Sequence, residues 1–254
     1  MKTSYSQNYN SKVLVDLWSD FIDWKKRRKG EDGFLVKTLK KSNCKTIFDA
    51  SLGDGCDSIY LLKQGFQVTS NEVDGLFIKK ALENAKKNKV KLSVTNFDWK
   101  DLDKELIHYK FDAVILLGNS LTYLFSQKDQ LQVLTAFRKI LKPNGILLID
   151  ERNCHYILTH KKEILKGKFK YSNKFVYCGN LVHAHPIEIQ KNKVIMEYKH
   201  KNGKKAFLVL YPFKKGELKI LLKKAGFKNI QQYSDYKKDY NSNADFYQYL
   251  ANIS

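Results

Sequence analysis

The sequence predicts an α/β fold: a doubly wound, mostly parallel seven-stranded sheet with an N-terminal helical lid and an antiparallel β insertion. Three observations predict it. Short apolar runs alternate with helical periods from Thr46 to Asp150, the pattern of strand–helix–strand crossovers that builds parallel sheets. Several of these runs end on polar or glycine-bearing residues, at the end where open α/β sheets bind ligands. Beyond Asp150 the spacing loosens into segments rich in Tyr, Val and Phe with partial alternation, which reads as antiparallel strands.

The elements follow in order. Residues 13–24, VLVDLWSDFIDW, place Val13, Leu14, Leu17, Trp18, Phe21 and Ile22 on one face of an amphipathic helix. This helix runs into the basic segment KKRRKG, and a second short helix is expected at 33–41. TIFDA, FQVTSN, KLSVTN, DAVILLG and GILLID are the strand candidates, separated by helical stretches near 57–64, 75–87 and 128–141. Pro143, Asn144 and Gly145 form a turn that ends the last of these helices and opens the fifth strand. Antiparallel strands are expected within 171–211, with turns at Cys178 to Asn180 and Asn202 to Gly203. A helix at 215–225 and closing strands near 227–234 and 245–252 complete the chain.

Composition narrows the class. The 254 residues carry a formal charge of +20, which would suit a nucleic-acid partner if the cations were clustered. They are not: arginine occurs only at Arg27, Arg28, Arg138 and Arg152, and the lysines spread along the whole chain, so a nucleic-acid partner is not expected. No stretch reaches the roughly 18 apolar residues of a membrane helix, and MKTSYSQNYN lacks the apolar core of a secretory signal. A cytoplasmic protein without a membrane partner is the expectation. Cys44, Cys56, Cys154 and Cys178 form no CxxC pair, and His183 with His185 has no evident third ligand, so neither disulfide nor metal is expected.

The ends of the first three strands carry the chemistry. Phe48-Asp49-Ala50-Ser51-Leu52-Gly53-Asp54-Gly55 is a strand-to-turn transition whose glycines let a ligand approach the backbone. Glu72 ends the second strand, where doubly wound nucleotide sites place a carboxylate on ribose hydroxyls. Phe97-Asp98-Trp99 follows the third and offers a carboxylate for an adenine amino group beside an indole. Position 58 is Ser where a dinucleotide site usually has a third glycine, and together with Asp49 this favours a ligand without phosphate.

On these residues the chain resembles the class I S-adenosylmethionine methyltransferases, whose fold is Rossmann-like, and within them the glycine and glycine/sarcosine N-methyltransferases. The segments that carry the resemblance are GDGCDSIYLL, FDAVILLGNSLTYL, LLIDERNCHYIL, FVYCGNLVHAHP and YPFKKGELKILLKKAGF, spread over nearly the whole chain. The resemblance implies S-adenosyl-L-methionine as cofactor, with Ala50 and Gly53 at the cofactor turn, Leu117 giving it a backbone contact, Glu72 on ribose, and Asp98 with Trp99 on adenine. Tyr9 and Trp18 would close over the methionine end, with Arg27 or Arg28 pairing its carboxylate. For a small amino-acid acceptor, glycine or sarcosine, it implies Asn119 near the amine, Arg152 on the carboxylate, and Tyr177 and Tyr211 on the pocket walls. It further implies a single domain over 1–254: an N-terminal lid (1–42), a cofactor-binding core (43–158), a β-rich insertion over the active site (159–212) and a closing helix and strands (213–254). A homo-oligomer is compatible with it. The chain departs from the family pattern at Asp54, where Thr is usual, at Glu72, where Asp is commoner, and at Phe21, where the animal glycine enzymes carry Tyr. The competing readings are a methyltransferase of another amine, RNA or protein, and a cofactor-binding regulator without turnover.

Overall fold

The computed structural model describes residues 11–168 and 180–253. Three helices come first: α1 (Ser11–Phe21), α2 (Trp24–Glu31) and α3 (Phe34–Lys41). The alternating core follows: β1 (Thr46–Asp49), α4 (Cys56–Lys63), β2 (Gln67–Asn71), α5 (Gly75–Lys87), β3 (Ser93–Thr95), the short α6 (Leu102–Glu105), β4 (Phe111–Leu116), α7 (Gln127–Lys139) and β5 (Leu141–Arg152). After α8 (Cys154–Thr159) and the single turn α9 (Lys161–Glu163) come β6 (Val182–Gln190), β7 (Lys193–His200) and β8 (Lys205–Leu210). The chain closes with α10 (Glu217–Lys224), β9 (Lys228–Ser234) and β10 (Phe246–Asn252).

Seven strands form one sheet in the order β3-β2-β1-β4-β5-β10-β9, in which β10 alone runs against its neighbours. Because β1 to β5 are parallel, their C-terminal ends share one edge, and the chain reverses its direction of travel across the sheet between β1 and β4. Such a switch point opens a crevice for a ligand. The Pro143-Asn144-Gly145 turn lies within the span of β5 as an excursion. Phe111 pairs with Leu141 and Ala113 with Ile146, and Asn144 takes a left-handed φ of 62°.

Antiparallel β6, β7 and β8 form a second sheet, as the partial alternation predicts. Cross-strand pairing puts Tyr198 opposite Ala206, Met196 opposite Leu208 and Val194 opposite Leu210, all buried on one face. The apolar stripe of α1 covers that face through Leu14, Leu17 and Phe21, each worth about 1.5–3 kcal/mol when buried. Trp18 of the same helix meets Tyr198 and the edge of Phe77 on α5, so α1 lies as a bridge between the small sheet and the cofactor-side helices.

The basic segment KKRRKG forms most of α2. Apolar periodicity cannot reveal this helix, because ion pairs hold it. Glu31, 4% exposed, accepts from Arg27 Nε at 2.8 Å and from Arg28 at 2.7 Å, and Arg28 reaches Asp57 on α4 at 2.5 Å. Burial raises the Asp57 carboxyl, but Arg28 and Arg27 overcome it and hold the group below its ordinary value.

Candidate active site

The turn after β1 is built by its own side chains. Gly53 adopts a left-handed φ of 53°, which turns its N–H toward Glu72 Oε2 at 3.0 Å. The other Glu72 oxygen accepts the N–H groups of Val73 and Asp74, so the carboxylate is fixed just after β2 with one acceptor site left, on Oε2. Gly55 serves packing instead: a Cβ there would lie 3.0 Å from Ala81 Cβ on α5. Asp54 accepts from the Trp24 indole at 3.2 Å, which ties the N-terminal helices to the turn. Behind it Asp49 accepts from Ser58 and from the Ser51 N–H, and burial lifts its carboxyl to about 7 against those bonds.

A cavity opens at the ends of β4 and β5 and offers ≈ 60 Å³ to water-sized groups. Gly118 and Asn119 from the β4 end and Asp150 and Arg152 from β5 form its polar floor, and Arg27 enters from α2. Trp18 and Phe21 come from α1 and Ile22 from the residue after it, and Tyr198, Leu208 and Leu210 from the small sheet. Tyr123, Tyr236 and Phe246 close the remaining walls.

Arg152 is 7% exposed, and its guanidinium carbon lies 4.9 Å from the centre of the Phe246 ring. Its backbone N–H donates to Asn119 Oδ1 at 2.9 Å, while Asn119 Nδ2 donates to Thr122 Oγ1 at 3.2 Å. Asn119 holds a left-handed φ of 65°, so its side chain clamps the end of β4 to the end of β5. Asp150 accepts the N–H groups of Gly118 at 3.1 Å and Asn119 at 2.6 Å, one on each oxygen. Burial raises its carboxyl to about 6, against the opposing pull of Arg27 and these N–H groups.

The structure therefore gathers Trp18, Arg27, Asn119 and Arg152 around one cavity. Ala50, Gly53, Glu72, Asp98 and Leu117 lie along the adjoining strand ends, where the Leu117 carbonyl accepts from Ser51 and Ser120. Asp98 caps the short turn that follows through Lys100 N–H. Tyr9 and Tyr177 lie outside the described residues.

Three expectations change. Trp99 is a core residue: its ring is buried in the main core and its indole N–H donates to the Ala50 carbonyl at 2.6 Å, which braces the turn after β1. Arg28 is committed to Glu31 and Asp57 and stacks on Tyr60, leaving Arg27 as the arginine of α2 that lines the cavity. Tyr211 is not on the cavity wall. It follows Leu210 just beyond the end of β8 and donates to Glu217 at 2.7 Å. Tyr198, Tyr123 and Tyr236 are the tyrosines that do line it, and the alternation of β7 and β8 already carried the signal for Tyr198.

Residues 47–145 match the family described as a methyltransferase domain. The chain is 35% identical over 239 residues to the glycine/sarcosine N-methyltransferase of Halorhodospira halochloris, covering 94% of this chain and 86% of that one. It is 34% identical to the enzyme of the same name from Aphanothece halophytica, covering 98% and 91%. The chain belongs to the glycine/sarcosine N-methyltransferase family. Its fold is shared with an S-adenosylmethionine-dependent methyltransferase structure from Clostridium acetobutylicum, at a TM-score of 0.70 and 17% identity over 97% of this chain and 96% of that one. In this member of the glycine/sarcosine N-methyltransferase family, the cavity floor is thus formed by the LGNS and IDER segments at the ends of β4 and β5. Among the described residues no helix is long and apolar enough to cross a membrane.

Proposed function

We propose that the protein methylates the amino group of glycine or sarcosine in the cytoplasm, with S-adenosyl-L-methionine as the methyl donor. The observation that carries this reading is the buried Arg152 guanidinium in a small, largely apolar cavity beside the cofactor turn. A planar cation in such a place suits a carboxylate, which it can grip through two parallel hydrogen bonds. The cofactor fits the residues present: Glu72 keeps one acceptor site on Oε2 for a ribose hydroxyl, Gly53 turns the backbone there with a left-handed φ, and Arg27 supplies a cation at the cavity. When bound it supplies an activated methyl group on a sulfonium.

The chain's own residues do the rest. Arg152 anchors the acid end of the acceptor, and the backbone held by Asn119 sets how deeply it sits. Trp18, Phe21 and Tyr198 exclude water above the amine. Aligning the nitrogen with the methyl carbon in a dry site is worth roughly 7–11 kcal/mol of the barrier. No covalent nucleophile is required.

Transfer of labelled methyl to glycine, sarcosine and dimethylglycine tests the reading, with wild type and Arg152→Ala compared. Wild type turns over glycine or sarcosine. Arg152→Ala loses about 1.5–3 kcal/mol in kcat/KM for the acceptor, with cofactor binding by calorimetry unchanged. Absence of turnover on these amines, or acceptor kinetics untouched by the substitution, refutes it.

A further inference from the structure

An amino-acid acceptor enters solution chemistry as a zwitterion, and its ammonium must lose a proton before its nitrogen can attack. The cavity holds one carboxyl group, Asp150, among its lining residues. Asp150 and Arg152 are two apart on β5, so both side chains leave the same face, roughly 7 Å apart along the strand. Both side chains line one cavity, so an α-amino acid gripped by Arg152 through its carboxylate holds its ammonium in the same enclosure as Asp150. Each Asp150 oxygen accepts one backbone N–H, from Gly118 and from Asn119, which leaves each a second lone-pair site.

A second cleft of ≈ 340 Å³ lies on the outer side, between α2, α3 and the turn joining β9 to β10. Tyr236 lines both this cleft and the cavity. Its position is over-determined. Asp235 and Tyr236 both take left-handed φ values, 50° and 66°, at the centre of a two-residue turn closed by reciprocal Ser234 and Lys237 hydrogen bonds. An aromatic residue in that backbone state is costly, and such strain gathers at functional sites. Gln248 accepts the Tyr236 N–H at 2.7 Å, and Phe34 packs its ring against Tyr236. The hydroxyl lies in the field of Arg27, Glu31, Asp150 and Asp57.

We propose that Asp150 takes the proton shed by the acceptor ammonium and that Tyr236 passes it to solvent in the outer cleft. This rests on the amino-acid reading above. One ammonium N–H bond breaks and an O–H bond forms on Asp150. The nitrogen keeps the electron pair, which becomes its bond to the methyl carbon as the carbon–sulfur pair leaves with sulfur. Asp150 then returns its proton to the Tyr236 oxygen while Tyr236 releases its own hydroxyl proton outward. Both residues end each turnover unchanged, and one proton leaves.

The charges around Asp150 suit the role. Arg27 from α2 favours its ionised form, while Asp57 from α4 and Glu151 on the reverse face of β5 oppose it; Arg152 from β5 shares the cavity, and Glu31 lies on α2 beside Arg27. Tyr123, after β4, and Tyr236 stay neutral, since burial raises both phenols. The outcome is a carboxyl poised near 6, ionised at neutral pH yet far more basic than an exposed aspartate.

The pH dependence of kcat/KM for glycine, measured for wild type, Asp150→Asn and Tyr236→Phe beside calorimetric cofactor binding, tests this. The wild-type acid limb falls near pH 6. Asp150→Asn lowers kcat/KM at neutral pH by about 10²–10⁴-fold and moves the limb up by roughly two pH units or more, toward the acceptor's own ammonium. Tyr236→Phe keeps the ring packing and lowers kcat in a way that added imidazole buffer restores, whereas wild type ignores the buffer. An unmoved limb in Asp150→Asn, with weakened cofactor binding, overturns the proposal and makes Asp150 a cofactor anchor. If Asp150→Asn does not fold, Tyr236→Phe decides alone, and kinetics insensitive to buffer overturn the relay. Wild type inactive on glycine and sarcosine sinks the acceptor reading itself, whereas active wild type with unshifted variants sinks only the proton route.

Discussion

Asn119 offers the sharpest test of how the cavity proposed for the acceptor is held. It is 5% exposed, its backbone is left-handed, and its amide oxygen is the partner of the Arg152 N–H. Asn119→Gly keeps the backbone geometry and removes only the amide. A buried N–H left without a partner costs about 1–3 kcal/mol. Asn119→Ala adds the left-handed penalty of a Cβ, about 1–2 kcal/mol, for a total of about 2–5 kcal/mol. Urea unfolding at constant m-value measures both, and the order wild type, Gly, Ala in falling midpoint is the expected result. Because the amide positions Arg152, both variants also raise KM for the acceptor more than they change cofactor affinity. Alanine as stable as glycine would refute the backbone argument. Both variants within about 0.5 kcal/mol of wild type would show that the bond to Arg152 contributes nothing.

Two further outcomes are expected. Gly55→Ala places a Cβ 3.0 Å from Ala81 Cβ and 3.2 Å from its Cα at a φ of 85°, so strain and overpacking together destabilise by about 2–5 kcal/mol in urea unfolding. Asp112 accepts from Lys45 N–H, Thr46 N–H and hydroxyl, and Lys142, and although burial works the other way these bonds hold its carboxyl far below the usual range. Asp112→Ala costs about 1.5–3 kcal/mol at neutral pH. A depressed carboxylate stabilises above its unfolded pKa, near 3.8, and loses that contribution as pH falls through the lower folded value; the gap between wild type and variant therefore closes in acid.

The sheet was legible because its strands are apolar runs of the right length between helical periods, and β1 to β5 lie where TIFDA through GILLID predict them. Helix α2 was not, since its buried contacts are Glu31 and Asp57 with two arginines, and charge carries no apolar period. The same distinction runs through the cavity. Arg152 and Asn119 follow recognisable strand-end segments, so their neighbourhood could be foreseen. Tyr211 was placed by the likeness of the YPF segment, whereas strand parity, which turns Leu208 and Leu210 toward the cavity, ends with β8, and the bond of Tyr211 to Glu217 needed the fold. Trp99 shows a different limit: an indole beside a crevice can face it or brace it, and only the bond to the Ala50 carbonyl decides. Asp150 and Tyr236 needed the fold, for the turn bearing Tyr236 lies far along the chain from β5.

The pairing of β10 with β5 has a consequence for how the enzyme is made. Phe246 sits opposite Arg152, so the guanidinium meets its aromatic neighbour only after the final strand has been synthesised and has inserted between β5 and β9. Until then β5 is an open edge bearing Asp150, Glu151 and Arg152, a template for the wrong strand of another nascent molecule. Charged side chains on an open edge discourage such mispairing, so these three residues have a place in the folding of the protein apart from any in its cavity.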